Sequence, residues 1–219
     1  MIKRYLQIIG LFGINNFSSK LLSTICIILL SGFFLGCIGG TSPKSLYYVF
    51  SSSQKLSAVH SFTNDYSLGV GPIKIPEFLE RPQIVTRQQQ NLLQINEFHR
   101  WGDSLEAQIT NVLVENLSTL LNTPRVITYP WIRPFSPDYQ LYIDFRRFDG
   151  NPEDSVIMDA IWRVVDTKNN KALLTRHISQ IVPTHGKGYK PYVIALNAAL
   201  EKLSQEIANS LLLIKIQTN

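Results

Sequence analysis

The sequence predicts a two-layer α/β sandwich of the α+β kind, in which a largely antiparallel mixed sheet is covered by two long amphipathic helices. Three observations carry this. In residues 141–146, Leu141, Ile143 and Phe145 alternate with Tyr142, Asp144 and Arg146, and in residues 156–164 Val156, Met158, Ala160, Trp162 and Val164 share one face. Such alternation marks strands with one side on a core and the other toward solvent. Leu105, Ile109, Val112, Leu113, Leu117, Leu120 and Leu121 recur at the spacing of one helical face, as do Val193, Leu196, Leu200, Leu203, Ile207, Leu211 and Ile214.

The N-terminus carries a different signal. The first twenty residues hold Lys3, Arg4 and Lys20 and no acid, and residues 21–35 follow as a mostly apolar run. A transmembrane helix needs roughly 20 apolar residues, whereas Ser23, Thr24, Ser31 and Gly32 interrupt this run and Gly36 stops it. The order of charged, apolar and small residues is that of a secretory signal. No Ala-x-Ala-like site follows. Phe34-Leu35-Gly36-Cys37 instead resembles a bacterial lipobox, with Phe34 where leucine is usual. Residues 1–36 would then be a lipoprotein signal peptide and Cys37 the acylated N-terminus. The other cysteine, Cys26, lies in the segment that would be removed, so the mature chain would hold Cys37 alone and could form no internal disulfide. One acyl chain binds a membrane marginally and two hold it stably. Residues 37–45 read as a flexible Gly/Ser/Pro tether, and residues 46–219 as a single domain long enough to bury a core.

Within that domain, residues 46–50 (LYYVF) read as a strand by their aromatic and apolar density, and residues 51–67 as a loop. Residues 70–75 form a short strand with Ile73 and Ile75 on one side and Lys74 on the other. Pro76 and Pro82 bracket EFLER, room for one or two helical turns, because proline blocks helix continuation and biases the residue before it toward extended backbone. QIVTR and NLLQIN read as a hairpin around QQQ. The clearest helix follows in residues 97–129, with Asp103 and Glu106 as an N-terminal cap and Asn122-Thr123-Pro124 as the stop. RVITY is a strand, and three more form an antiparallel meander, the last two joined through TKNNK. Residues 183–190 (PTHGKGYK) are a loop before the closing helix.

The chemistry is sparse. Lys plus Arg number 21 against 16 Asp plus Glu, but three of the basic residues sit in the signal, leaving 18 against 16, a net +2. With no run of Lys/Arg interleaved with aromatics after residue 40, nucleic acid is excluded as a partner. His60, His99, His177 and His185 are scattered, with no metal-ligand spacing. HGKG at 185–188 lacks the context of a phosphate loop, and no Gly-x-Ser-x-Gly elbow exists. Asp144, Asp149, Glu153 and Asp154 border a turn and read as solvated. No catalytic, metal or cofactor-binding residue is expected, and the chain is not expected to be an enzyme.

GVGPIKIPEFLERPQIVTR, then RWGDSLEAQITNVLVENLSTLL and the late LNAALEKLSQEIA, resemble the PqiC (YmbA) family of ABC-type transport auxiliary lipoproteins, from Cys37 to about Ile214. The Pro-x-x-Leu-x-Arg-Pro segment and the downstream Arg-Trp are its most specific parts. The resemblance implies a lipid-anchored outer-membrane protein facing the periplasm, without cofactor, that works with an MCE-domain protein and an inner-membrane transporter component to move lipid and maintain membrane integrity. Ile38 after the cysteine, rather than Asp, fits outer-membrane sorting. A collar around a symmetric conduit would favour a homo-oligomer. Pro76, Phe78, Leu79, Arg81, Pro82, Arg87, Arg100 and Trp101 lie on or beside the matching motifs and are the candidate partner interface, each with core packing or ion pairing as its alternative role. The rival functions are a periplasmic carrier that holds an acyl chain between sheet and helices, and an assembly or cell-wall-binding lipoprotein.

Overall fold

The computed structural model divides the chain into two compact units, Met1–Pro43 and Lys44–Asn219. It describes Leu21, Ser23, Thr24 and residues 43–53, 56–58, 66–132 and 134–218, with side chains described as far as residue 213. Apart from the first three, the expected signal segment lies outside the described residues, as do Cys37, the greater part of the tether and the side chain of Ile214. Among the described residues no helix is long and apolar enough to cross a membrane.

The second unit is the expected α+β sandwich, with its strands divided between two sheets rather than gathered in one. The strands are β1 (Leu46–Tyr48), β2 (Leu68–Lys74), β3 (Gln83–Gln89), β4 (Leu92–Trp101), β5 (Val126–Thr128), β6 (Tyr139–Gly150), β7 (Ser155–Asp166) and β8 (Lys171–Pro183). The helices are α1 (Leu105–Leu120) and α2 (Tyr189–Thr218), and a short 3-10 turn covers Glu77–Leu79. The large sheet runs β5-β2-β6-β7-β8 and the small one β1-β4-β3. The expected meander is β6, β7 and β8, paired antiparallel, while β2 pairs parallel with both β5 and β6.

Val156, Met158, Ala160, Trp162 and Val164 of β7 are all fully buried, and Leu141, Ile143 and Phe145 of β6 lie beside them. Burying each such aliphatic or aromatic side chain contributes roughly 1.5–3 kcal/mol. The helical faces meet this layer through Ile109, Leu113, Leu117, Leu200, Leu203 and Ile207. The two helices are also joined by a buried hydrogen bond in which Asn116 Nδ2 donates to Ser204 Oγ over 3.2 Å.

After β1 the chain leaves regular structure, and Phe50, expected in the strand, turns into the core against Trp101 and Phe148. Its backbone donors are taken up by helix amides: Phe50 N–H donates to Gln108 Oε1 (2.9 Å), Ser51 N–H to Asn197 Oδ1 (3.2 Å) and Ser53 N–H to Asn116 Oδ1 (3.1 Å). Amides without a strand partner need such acceptors.

Two boundaries differ from expectation. EFHRW is the end of β4 rather than helix, because its backbone pairs with β1 from Leu46↔His99 to Tyr48↔Trp101. That pairing delays α1, and Ser104, not Asp103, is its N-cap: Ser104 Oγ accepts from Ala107 N–H at 3.1 Å, while the Asp103 carboxylate accepts from Ser104 N–H at 2.7 Å. The stop falls where expected. Asn122 takes φ 49°, and Thr123 N–H and Asn122 N–H donate to Ser118 O and Thr119 O, the paired bonds of a left-handed helix terminus.

Candidate functional site

Two motif segments far apart in sequence meet at the N-terminus of α1. Pro76 opens the 3-10 turn, where its carbonyl accepts from Leu79 N–H at 2.9 Å. The turn closes with Arg81 N–H donating to Leu79 O (2.8 Å), and the next carbonyl, that of Pro82, accepts from Trp101 N–H at 2.7 Å. A proline here presents a carbonyl without needing a partner for an N–H. The result is a groove of about 510 Å³ lined by Ile75, Arg81, Pro82 and Trp101 on one side and by the first turn of α1 on the other.

The groove has an apolar floor and charged walls. Trp101, which lines it, is only 5% exposed and packs on Phe50 with ring centroids 5.0 Å apart. Glu80, Asp103 and Glu106 line the groove together with Arg81. Asp103 and Glu106 also complement the positive end of the helix dipole. This combination suits recognition of a peptide surface: an aromatic anchor, a rigid backbone and charges at the rim. A larger hollow, about 580 Å³, lies against the large sheet between Lys74, Tyr142, Asp144 and Arg163; Pro72 and Lys74 of the first motif segment line it, but none of the candidate interface residues does. The motif-lined groove is the better candidate, because independent segments converge there.

The remaining motif residues take other places. Leu79 is core, and Phe78 is half-buried with the Arg87 guanidinium 5.7 Å from its ring centroid. Arg87 is turned inward to Asp149: its Nε lies 3.1 and 3.0 Å from the two carboxylate oxygens and its Nη2 2.7 Å from Oδ2. Arg147 Nε reaches Oδ1 of the same carboxylate at 2.8 Å. The hydrogen bonds that Arg87 donates to Asp149 raise its pKa above its already high ordinary value. Arg100 stands on the outer side of β4, 3.8 Å from Glu97.

Asp149 corrects the expectation that the acids near residue 150 are solvated, for its side chain has no solvent exposure. A register shift between Phe145 and Arg147 in the β6–β7 pairing breaks the alternating phase: Phe148 takes the core side opposite Met158, and Asp149, opposite Ile157, falls on the other face, where Arg87 of β3 covers it. The successive arginines Arg146 and Arg147 are the one local hint of that break. Among the described residues, no group of three or more His, Cys, Asp or Glu could hold a metal ion. His177 Nε2 pairs with Asp159 Oδ2 at 3.0 Å on the surface.

Two exposed apolar features were not anticipated as such. Between β5 and β6, Trp131 lies over Gly69, where an added Cβ would come within 2.6 Å of the indole, while Ile132 and Phe135 project into solvent, 86% and 66% exposed. On β1 and just beyond it, Leu46, Tyr47 and Val49 are 53%, 67% and 64% exposed.

An antiparallel meander backed by two helices, with a second small sheet alongside, is the fold of known bacterial proteins. An uncharacterised protein of known crystal structure is 20% identical, with TM-score 0.63, over 77% of this chain and 99% of its own. A protein of Xanthomonas campestris from a domain family of unknown function is 15% identical, with TM-score 0.64, over 79% of this chain and 98% of its own. No curated protein matches this chain in sequence. Residues 48–208 match the family model of the ABC-type transport auxiliary lipoprotein component, and the chain belongs to that family. The match spans both groove-forming segments and agrees with the resemblance read from the motifs. The family's role is that of an auxiliary lipoprotein in ABC-type transport, in association with a transporter system.

Proposed function

We propose that the protein is an outer-membrane lipoprotein subunit of an ABC-linked, MCE-type intermembrane lipid transport system, tied to the bilayer through Cys37 after removal of residues 1–36. Residues 37–45 are its tether and residues 46–219 its docking domain. The domain receives the periplasm-spanning MCE-domain protein at the groove formed by Arg81, Pro82 and Trp101, with the inner-membrane component supplying energy from a distance. The observation that carries this reading is the convergence of PEFLERP and RWGD, two family motifs, on one groove. Pro76 fixes the 3-10 turn that leads into the groove by accepting from Leu79 N–H, while Phe78, Leu79 and Arg87 pack elsewhere in the domain.

Two experiments test it. Metabolic labelling with a palmitate analogue, followed by membrane fractionation, should place label on the wild-type protein in the outer-membrane fraction and none on Cys37→Ser. A photo-crosslinking residue placed at Arg81 should capture the MCE-domain protein in cells, whereas the same residue at Lys168, in the β7–β8 turn, should not. Capture at Lys168 alone would move the interface elsewhere. Purified protein that retained stoichiometric lipid and captured no partner would favour the carrier instead.

A further inference from the structure

The exposed residues of β1 stand where the tether ends. Tyr47 pairs in register with Arg100 in a parallel ladder, so the two side chains share a face. Val49, two residues on, lies on the same side, its Cγ1 2.8 Å from where a Cβ on Gly102 would stand. Phe98 precedes Arg100 by two residues and is 39% exposed. On the opposite face of the ladder Tyr48 OH bonds His99 Nδ1 at 2.7 Å and the His99 ring stacks on Tyr189 with centroids 3.9 Å apart, while Leu46, which pairs with His99, stays exposed at its end. The outward face is therefore Tyr47, Val49 and Phe98 around one guanidinium, with glycine at 102 keeping it flat. β1 is an edge strand of three residues with Leu46 also exposed, an unusual place for side chains of this kind in a soluble setting.

We infer that this face rests on the bilayer to which Cys37 is tied, a placement that rests on the lipoprotein reading above. About eight residues separate Cys37 from Leu46, and even fully extended they reach no further than about 28 Å. The anchor thus keeps these side chains at a high effective concentration over the headgroups. Tyrosine and phenylalanine suit the interfacial layer, and Lys44 suits lipid phosphates, as does Arg100 once it exchanges its surface pairing with Glu97 at 3.8 Å for a phosphate. The acyl chains fix where the protein is, and the β1 face fixes how it stands. Ile132 follows Trp131, which packs over Gly69 in the N-terminal half of β2, a strand of the large sheet.

The test uses the full chain, acylated in cells and reconstituted into phosphatidylethanolamine–phosphatidylglycerol vesicles that contain doxyl-labelled lipid. Acylation blocks Cys37 and signal removal takes Cys26 away, so Tyr47→Cys, Val49→Cys and Ile132→Cys each carry one thiol for an environment-sensitive fluorophore. All three positions are exposed, which leaves the fold undisturbed. The expected result is loss of emission by doxyl quenching at 47 and 49 and none at 132. Equal, unquenched emission at all three overturns the inference, as does shielding at 47 and 49 from both doxyl lipid and aqueous iodide, which would assign the face to a protein partner or second copy. The mass of the N-terminal peptide is read in the same samples. An unacylated peptide rejects the anchor and this placement with it, whereas an acylated peptide with unquenched 47 and 49 rejects the placement alone.

Discussion

Replacing Arg87 with methionine should destabilise the domain severely without touching its hydrophobic core. The Asp149 side chain is wholly shut from solvent, while Arg87 is 18% and Arg147 34% exposed. Methionine retains most of the stem under Phe78 but deletes the guanidinium, and with it Nε and Nη2, which bridge both carboxylate oxygens at 2.7–3.1 Å. Removing one partner of a buried ion pair costs about 3–5 kcal/mol when the survivor is left uncompensated. Arg147 remains, which places the loss near the bottom of that range, about 3 kcal/mol. At a urea slope of about 2.5 kcal/mol per molar, the midpoint falls by about 1.2 M. At about 2–4 °C per kcal/mol for a domain of this size, Tm falls by about 6–12 °C. The assay is urea unfolding of the chain from Lys44 onward, followed by the fluorescence of Trp101, Trp131 and Trp162. The double variant Arg87→Met with Asp149→Leu should recover at least half the loss, because it removes the buried charge as well as its partner. A midpoint shift below about 0.4 M for the single variant, or no recovery in the double, would refute the reasoning and mean that water reaches Asp149.

Two further predictions follow from local geometry. Burial lowers the pKa of His99, so the unfolded chain takes up a proton more readily than the folded one. The contribution of neutral His99 to stability is complete above the ordinary histidine value near about 6.5 and is lost as pH falls through that value toward the lowered folded one. Urea midpoints at pH 7.5 and 5.5 should therefore drop further for wild type than for His99→Gln, and equal drops would show that His99 is not the group responsible. Ser104→Ala should cost about 1 kcal/mol, measured by thermal unfolding, because it removes the acceptor for Ala107 N–H. Asp103→Ala should cost less, since the Asp103 side chain accepts from the cap residue's own N–H and not from within the helix.

Legibility tracked the distance over which a feature is decided. The leucine stripe of α1 and the alternation in β7 could be read directly, and each residue in them is buried as expected. The left-handed stop at Asn122 was also legible, because its signal and its hydrogen bonds lie within five residues. EFHRW was misread as helix because its strand conformation depends on pairing with Leu46–Tyr48, some fifty residues earlier in the chain. Arg81, Pro82 and Trp101 were legible as a set through the family motifs. That they share one groove, while Arg87 turns away to Asp149, was not.

The amino-acid sequence alone determined the sandwich, its two amphipathic helices, the meander and the family, because each rests on side-chain periodicity or a motif spanning a few turns or strand residues. Only the tertiary structure decided that the strands divide into two sheets, that Asp149 is buried between Arg87 and Arg147, and that two motifs line one groove. These depend on which distant segments come to share a hydrogen-bond ladder and on one shift of register, and a ladder between remote strands leaves no mark on the local pattern of either.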